Sequence, residues 1–191
     1  KLAPGAVRLA DCSRIGFVNC SFSRFGGVGL DLTRTTDSVI DRCNFTDISG
    51  NGIQIGQYQD PLASHKDARN VIKDSVIERA ASEFSGGVGI AAGYTQGLVI
   101  EHCDISNLTY AGISVGWGWS RHECAKCTNA ANNTIRNNRI HNYKRTLNDG
   151  GGIYMLGPQN GSLIEGNYVY DQHTKTSGAL YPDEGSAYST W

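Results

Sequence analysis

A six-residue template recurs along this chain: an apolar residue, two polar residues, a small residue, one more polar residue and a second apolar residue. It is clearest in Ile135-Arg136-Asn137-Asn138-Arg139-Ile140 and returns at Phe17/Cys20/Phe22, Ile40/Cys43/Phe45, Ile72/Ser75/Ile77, Ile100/Cys103/Ile105 and Ile164/Asn167/Val169. A second series alternates with it: Val7-Arg8-Leu9, Leu30-Asp31-Leu32, Ile53-Gln54-Ile55, Ile90-Ala91-Ala92, Ile113-Ser114-Val115, Ile153-Tyr154-Met155 and Leu180-Tyr181. From Leu30 onward a glycine precedes the first apolar residue of each copy except the last. Strict alternation of two such series marks a repeat protein, and the series read as two short strands per turn.

The period selects the architecture. Cys20 and Cys43 are 23 residues apart, as are Val7 and Leu30, about the length of one coil of a parallel β-helix. The apolar segments are short, rich in Ile and Val, and broken by Gly and Asn turns, as strands require. No stretch sustains a 3.6-residue apolar period, which argues against a helical solenoid. The expectation is an all-β, right-handed parallel β-helix of about six coils, its hand following from the rule for parallel crossovers. Equivalent residues then stack about 4.8 Å apart. The Cys20/Cys43/Ser75/Cys103/Asn138/Asn167 column reads as an internal stack inside a bend, where Asn tolerates left-handed backbone and its amide bonds along the ladder. Its cysteines read as reduced, buried, small apolar residues.

The chain of 191 residues reads as one domain, 1–191, with insertion loops at 57–70 and 117–133. A net charge of −1 argues against nucleic acid or an anionic membrane as the main partner. No run is apolar enough to span a bilayer. The sequence opens on the repeat register and closes soon after another strand, with no polar cap at either end. The expectation is therefore a stretch of a longer helix, its ends covered by further coils or a partner chain.

The breaks in the period point to function. Ile53 to Ile90 is 37 residues and Ile113 to Ile153 is 40, while Ile90 to Ile113 keeps the 23-residue spacing. The two main insertions follow the same strand of the coil at the same end, so they are expected to wall a groove. Arg8 and Asp31, on that strand, read as solvated positions. Trp117 and Trp119 lie in a Gly-rich loop, where an indole offers a face to a sugar ring. Gln54, Asp60, His65, Asp67, Glu83, Tyr154 and Tyr181 complete the expected substrate-binding set around the groove. Paired carboxyls are what glycoside hydrolysis needs, one to protonate the leaving oxygen and one to act as nucleophile or base. Stacked coils supply such pairs, adjacent rungs suiting a retaining site and alternate rungs an inverting one.

Four phrases carry a resemblance: Ile48-Ser49-Gly50-Asn51-Gly52-Ile53-Gln54-Ile55-Gly56, Ala111-Gly112-Ile113-Ser114-Val115-Gly116-Trp117-Gly118-Trp119, Asp149-Gly150-Gly151-Gly152-Ile153-Tyr154 and Leu180-Tyr181-Pro182-Asp183-Glu184-Gly185-Ser186. Over nearly the whole chain the sequence resembles bacterial right-handed β-helix glycoside hydrolases of the superfamily that includes families 136 and 141. The resemblance implies lacto-N-biosidase, fucosidase or xylanase-type activity on a carbohydrate substrate, an extracellular or periplasmic location, and Asp149 and Asp183 as catalytic residues, with Glu184 as the near alternative. Asp149 precedes its strand and Asp183 follows its own, so a turn through Gly150-Gly151-Gly152 is required to bring them together. Failing that, Asp60 and Asp67 with His65 between them form the alternative pair.

His122, Cys124 and Cys127 supply three ligands where a structural zinc wants four, so neither metal nor cofactor is expected. A local disulfide or free thiols at Cys124 and Cys127 both remain open. Two other functions compete with hydrolysis. A polysaccharide lyase needs cations in the groove to neutralise a uronate, and Lys66 and Arg121 are the most obvious ones. A non-catalytic carbohydrate-binding or adhesive solenoid needs only the wall aromatics.

Overall fold

The computed structural model describes residues 3–118 and 127–191. Short strands wind into three parallel sheets, a nine-stranded first, a seven-stranded second and a six-stranded third, which make six full coils and open a seventh among the described residues. This is a right-handed parallel β-helix. Each coil has three strands rather than two. The six-residue template bends at its small residue, so Gly16–Val18 lies in the second sheet and Ser21–Ser23 in the third. A bend of this kind leaves the apolar spacing untouched, which is why the period alone did not show it.

The register follows the apolar columns. Val7 pairs with Leu30, Leu30 with Ile53, Ile53 with Ile90, Ile90 with Ile113 and Ile113 with Ile153. Phe17, Ile40, Ile72, Ile100, Ile135 and Ile164 pair in the same way in the second sheet. From Leu30 to Ile153 the first column is wholly buried, and Val7 and Phe17 in the opening coil are half-buried. Phe22 stacks face to face on Phe45 at 4.5 Å in the third. A fully buried side chain of this size contributes roughly 1.5–3 kcal/mol, so the stacked columns supply the main driving force for coiling.

Two features fix the corners. The first is the glycine column. A Cβ on Gly29 would lie 2.5 Å from the Gly52 carbonyl oxygen, and one on Gly112 would lie 2.5 Å from that of Gly152. Adjacent coils therefore meet too closely at this corner for any side chain. The second is the Cys/Ser/Asn column. The Asn138 Oδ1 accepts from the Cys103 N–H and the Asn167 Oδ1 from the Asn138 N–H, each at 3.0 Å, while the Ser75 Oγ accepts from the Cys43 N–H. A parallel column runs along the other edge of the second sheet, where the Ser38 N–H donates to Asn70 and the Leu98 N–H to Asn133. The left-handed residue is not the ladder residue itself but the one before it, as at Arg42, Asp74, His102 and Asn137, with φ between 50° and 54°. Placing the strained residue first turns the next side chain inward, where its oxygen caps a backbone N–H that the bend leaves unpaired. Cys43 and Cys103 are buried free thiols, and burial pushes Cys103 up to about 12.

Asp31 departs from expectation. It is buried, not solvated: the Gln54 amide donates to its Oδ1 at 3.3 Å, and Arg8 lies 3.7 Å from Oδ2. Burial raises its titration, against the pull of Gln54 and Arg8.

Candidate active site

The outward-facing residues at the centre of the first sheet form the floor of the groove, from Arg8 and Asp31 through Gln54, Ala91 and Ser114 to Tyr154 and Tyr181. Segments rise from both edges of that sheet. Those following Ile55 and Gly116 leave its C-terminal edge, whereas 81–88, 144–152 and 173–179 approach its N-terminal edge. Described segments thus border both edges of the floor, whereas the sequence expectation placed the groove wall at one edge. Glu83 belongs to the N-terminal wall and Trp117 to the opposite one.

In the last coils the floor becomes aromatic. Tyr154 stacks on Tyr181 with ring centroids 5.5 Å apart, and Tyr110 meets Tyr154 edge-to-face at 6.3 Å. These rings pack with Val88, Ala91, Ala111 and Leu156 into a second apolar cluster outside the helix core. Farther along, Trp117 packs edge-to-face on Tyr58 at 5.1 Å. Tyr110 was not singled out from sequence. Its position two residues before the glycine column places it at the same corner as the Asp149 turn, and that offset was the available signal.

The two expected catalytic carboxylates approach this floor from opposite edges. Asp149 precedes Ile153–Leu156 in a turn made at Gly150, where φ is +81°, and its Oδ1 accepts from the Gly150 N–H at 2.8 Å. Asp183 directly follows Leu180–Pro182, and its Oδ2 accepts the Tyr154 hydroxyl at 2.5 Å. Burial first, then the negative charges of Asp149 and Asp183, push the Tyr110 phenol up to about 12. Tyr181 is raised by burial and by the same two carboxylates. Both carboxylates therefore act electrostatically on the same phenols.

The remaining expected site residues fall elsewhere. Glu184 is exposed beside Asp183. Asp60 is exposed, with its Oδ1 tied to the Leu62 N–H at 2.9 Å, and His65 is exposed in the same segment. Asp67 does not face Asp60. It is buried in the strand Asp67–Ala68, where its Oδ1 accepts from the Thr35 N–H at 2.8 Å and burial raises it to about 6. Its Oδ2 and the Tyr58 hydroxyl are buried without hydrogen-bond partners among the described residues. Burial also drives the Tyr58 phenol far above its ordinary value, with the charges of Asp31 and Asp67 adding to the effect. Gln54 is likewise buried, bonded to Asn51 and Asp31. Trp119 lies outside the described residues, as do Arg121, His122 and Cys124. Cys127 is disulfide-bonded and so presents no thiolate to a metal. No group of three or more His, Cys, Asp or Glu suited to a metal occurs among the described residues.

A family model described as "Right handed beta helix region" matches residues 5–116. No curated protein matches the chain. Among solved structures, the chain is similar to one titled "Glycoside hydrolase", with 27% identity and a TM-score of 0.81; the match covers 98% of this chain and 37% of that one. It is also similar to the A-module of the mannuronan C-5 epimerase AlgE6 of Azotobacter vinelandii, with 13% identity and a TM-score of 0.53, covering 97% of this chain and 58% of that one. The second likeness bears on the fold alone.

Proposed function

Because the chain belongs to the right-handed β-helix family, we propose that it is the catalytic groove of a carbohydrate-active enzyme, a glycoside hydrolase working with paired carboxylates. The observation that carries this reading is that Asp183 bonds to Tyr154 while the Asp149 turn lies against Tyr110 at Gly150, so both carboxylates adjoin one tyrosine cluster. A sugar lying on the partly exposed Tyr181 and Tyr110, with the buried Tyr154 packed between them, has an apolar ring face against an aromatic surface and a carboxyl on either side of its glycosidic bond. One carboxyl protonates the leaving oxygen while the other attacks the anomeric carbon or activates a water. The likeness to a solved glycoside hydrolase and the phrases resembling families 136 and 141 support the same reading.

The test is hydrolysis of a panel of neutral oligosaccharides by the wild type and by Asp149→Asn and Asp183→Asn. Each variant is expected to lose roughly 10²–10⁴ in kcat, the usual worth of general acid–base catalysis. Both should unfold like the wild type, because neither side chain lies in a core column. Near-full activity in both, with activity lost in Asp60→Asn, would move the site to the wall after Ile55.

A further inference from the structure

Lys144 is the most anomalous residue near the groove. Its side chain is wholly buried at 0% exposure, and a buried ammonium is costly unless something compensates it. Its backbone N–H donates to the Tyr110 carbonyl at 2.9 Å, which anchors it behind the tyrosine floor. Its Nζ donates to the Ser177 Oγ at 2.6 Å. The Ser177 hydroxyl in turn donates to the Gly150 carbonyl, and the Gly150 N–H to the Asp149 carboxylate at 2.8 Å. The ammonium is thus tied through the Ser177 hydroxyl to Gly150, the residue whose N–H holds the Asp149 carboxylate. Burial lowers the Lys144 titration, and the Asp149 carboxylate acts against that, so the two charges feel each other.

We propose that Lys144 is a positioning residue for Asp149, holding its turn through Ser177 and placing an ammonium group behind that turn. This rests on the glycoside hydrolase reading of the groove and deepens it. The other titratable groups in electrostatic reach are Tyr110 from the preceding coil and Tyr181 and Asp183 from the following one. Arg145, His173 and Lys175 on the two neighbouring segments are exposed to solvent, which leaves Lys144 as the buried cation of this corner.

The experiment uses the whole chain and two variants. Lys144→Met keeps the length of the side chain and removes the charge; Ser177→Ala keeps the charge and cuts the link to the turn. The carboxyl ¹³C resonance of Asp149, assigned with Asp149→Asn, is followed against pH. It is expected to titrate at higher pH in Lys144→Met than in the wild type. In Ser177→Ala the Gly150 amide is expected to exchange faster with solvent. On a glycoside that the wild type cleaves, the acid limb of kcat/KM moves to higher pH in Lys144→Met while KM holds. An Asp149 titration identical in the wild type and Lys144→Met would overturn the proposal. If the Met variant does not fold, unchanged Gly150 exchange in Ser177→Ala would do so instead. A shifted titration in a protein that cleaves no glycoside would sink the hydrolase reading and leave the role of Lys144 standing.

Discussion

Tyr154 donates its hydroxyl to the Asp183 Oδ2 at 2.5 Å, across the step from one coil to the next. A floor residue of one rung thus holds a carboxylate that ends the following strand. A hydrogen bond to a charged group is worth about 1.5–3 kcal/mol, equivalent to roughly a ten- to hundredfold effect on rate where it holds a reacting group in place. Tyr154→Phe keeps the ring and its stacking on Tyr181, so the expected outcome is a fall of about that size in kcat with little change in thermal stability. Steady-state kinetics alongside a thermal melt would separate the two effects.

Trp117 packs edge-to-face on Tyr58 and joins the apolar cluster that holds Tyr154 and Tyr181. Trp117→Ala is expected to raise KM and leave kcat close to the wild-type value, since a stacking surface acts on bound substrate and transition state alike. A fall in kcat at unchanged KM would place the indole in the chemistry instead.

Asp67 predicts a pH dependence of stability unrelated to catalysis. Its folded-state value is raised from 3.8 to about 6 by burial. The protonated form is therefore the one the fold favours. Its contribution is present below about pH 4 and is lost as the pH rises through about 6, a change on the order of 3 kcal/mol. Asp67→Asn is expected to flatten this part of the profile and to be more stable than the wild type at neutral pH. Denaturant unfolding between pH 4 and 8 would show it, and parallel profiles for the two proteins would refute it.

Gly112→Ala would push a methyl group to 2.5 Å from both the Gly152 carbonyl oxygen and the Ile140 Cγ2. Neither neighbour is the loose end of a flexible chain. Overpacking of this kind typically destabilises by about 1–3 kcal/mol. The midpoint of a denaturant melt should fall accordingly, whereas alanine at the open Gly86 should leave it unchanged.

The sequence by itself determined the coil, because the quantities that fix it are periodic. Apolar residues recurring at 23-residue spacing bury themselves only if each stacks on its predecessor, so Val7, Leu30 and Ile53 declared their register without reference to distant residues. The insertions declared themselves as breaks in that period, and Asp149, Asp183, Tyr154 and Tyr181 stood next to strands whose positions were already known. Side-chain direction and burial at the corners carry no such period, and only the tertiary structure decided them. Asp67 lies in a break yet points inward to the Thr35 N–H, because Asp67–Ala68 adds a strand beside the first sheet. Tyr110 became a floor residue, and Lys144 a buried cation, because successive coils bring residues 110, 144, 150 and 177 to a single corner. Their separations in sequence depend on loop lengths that no repeat constrains, so their meeting is settled where the chain closes each coil on the last.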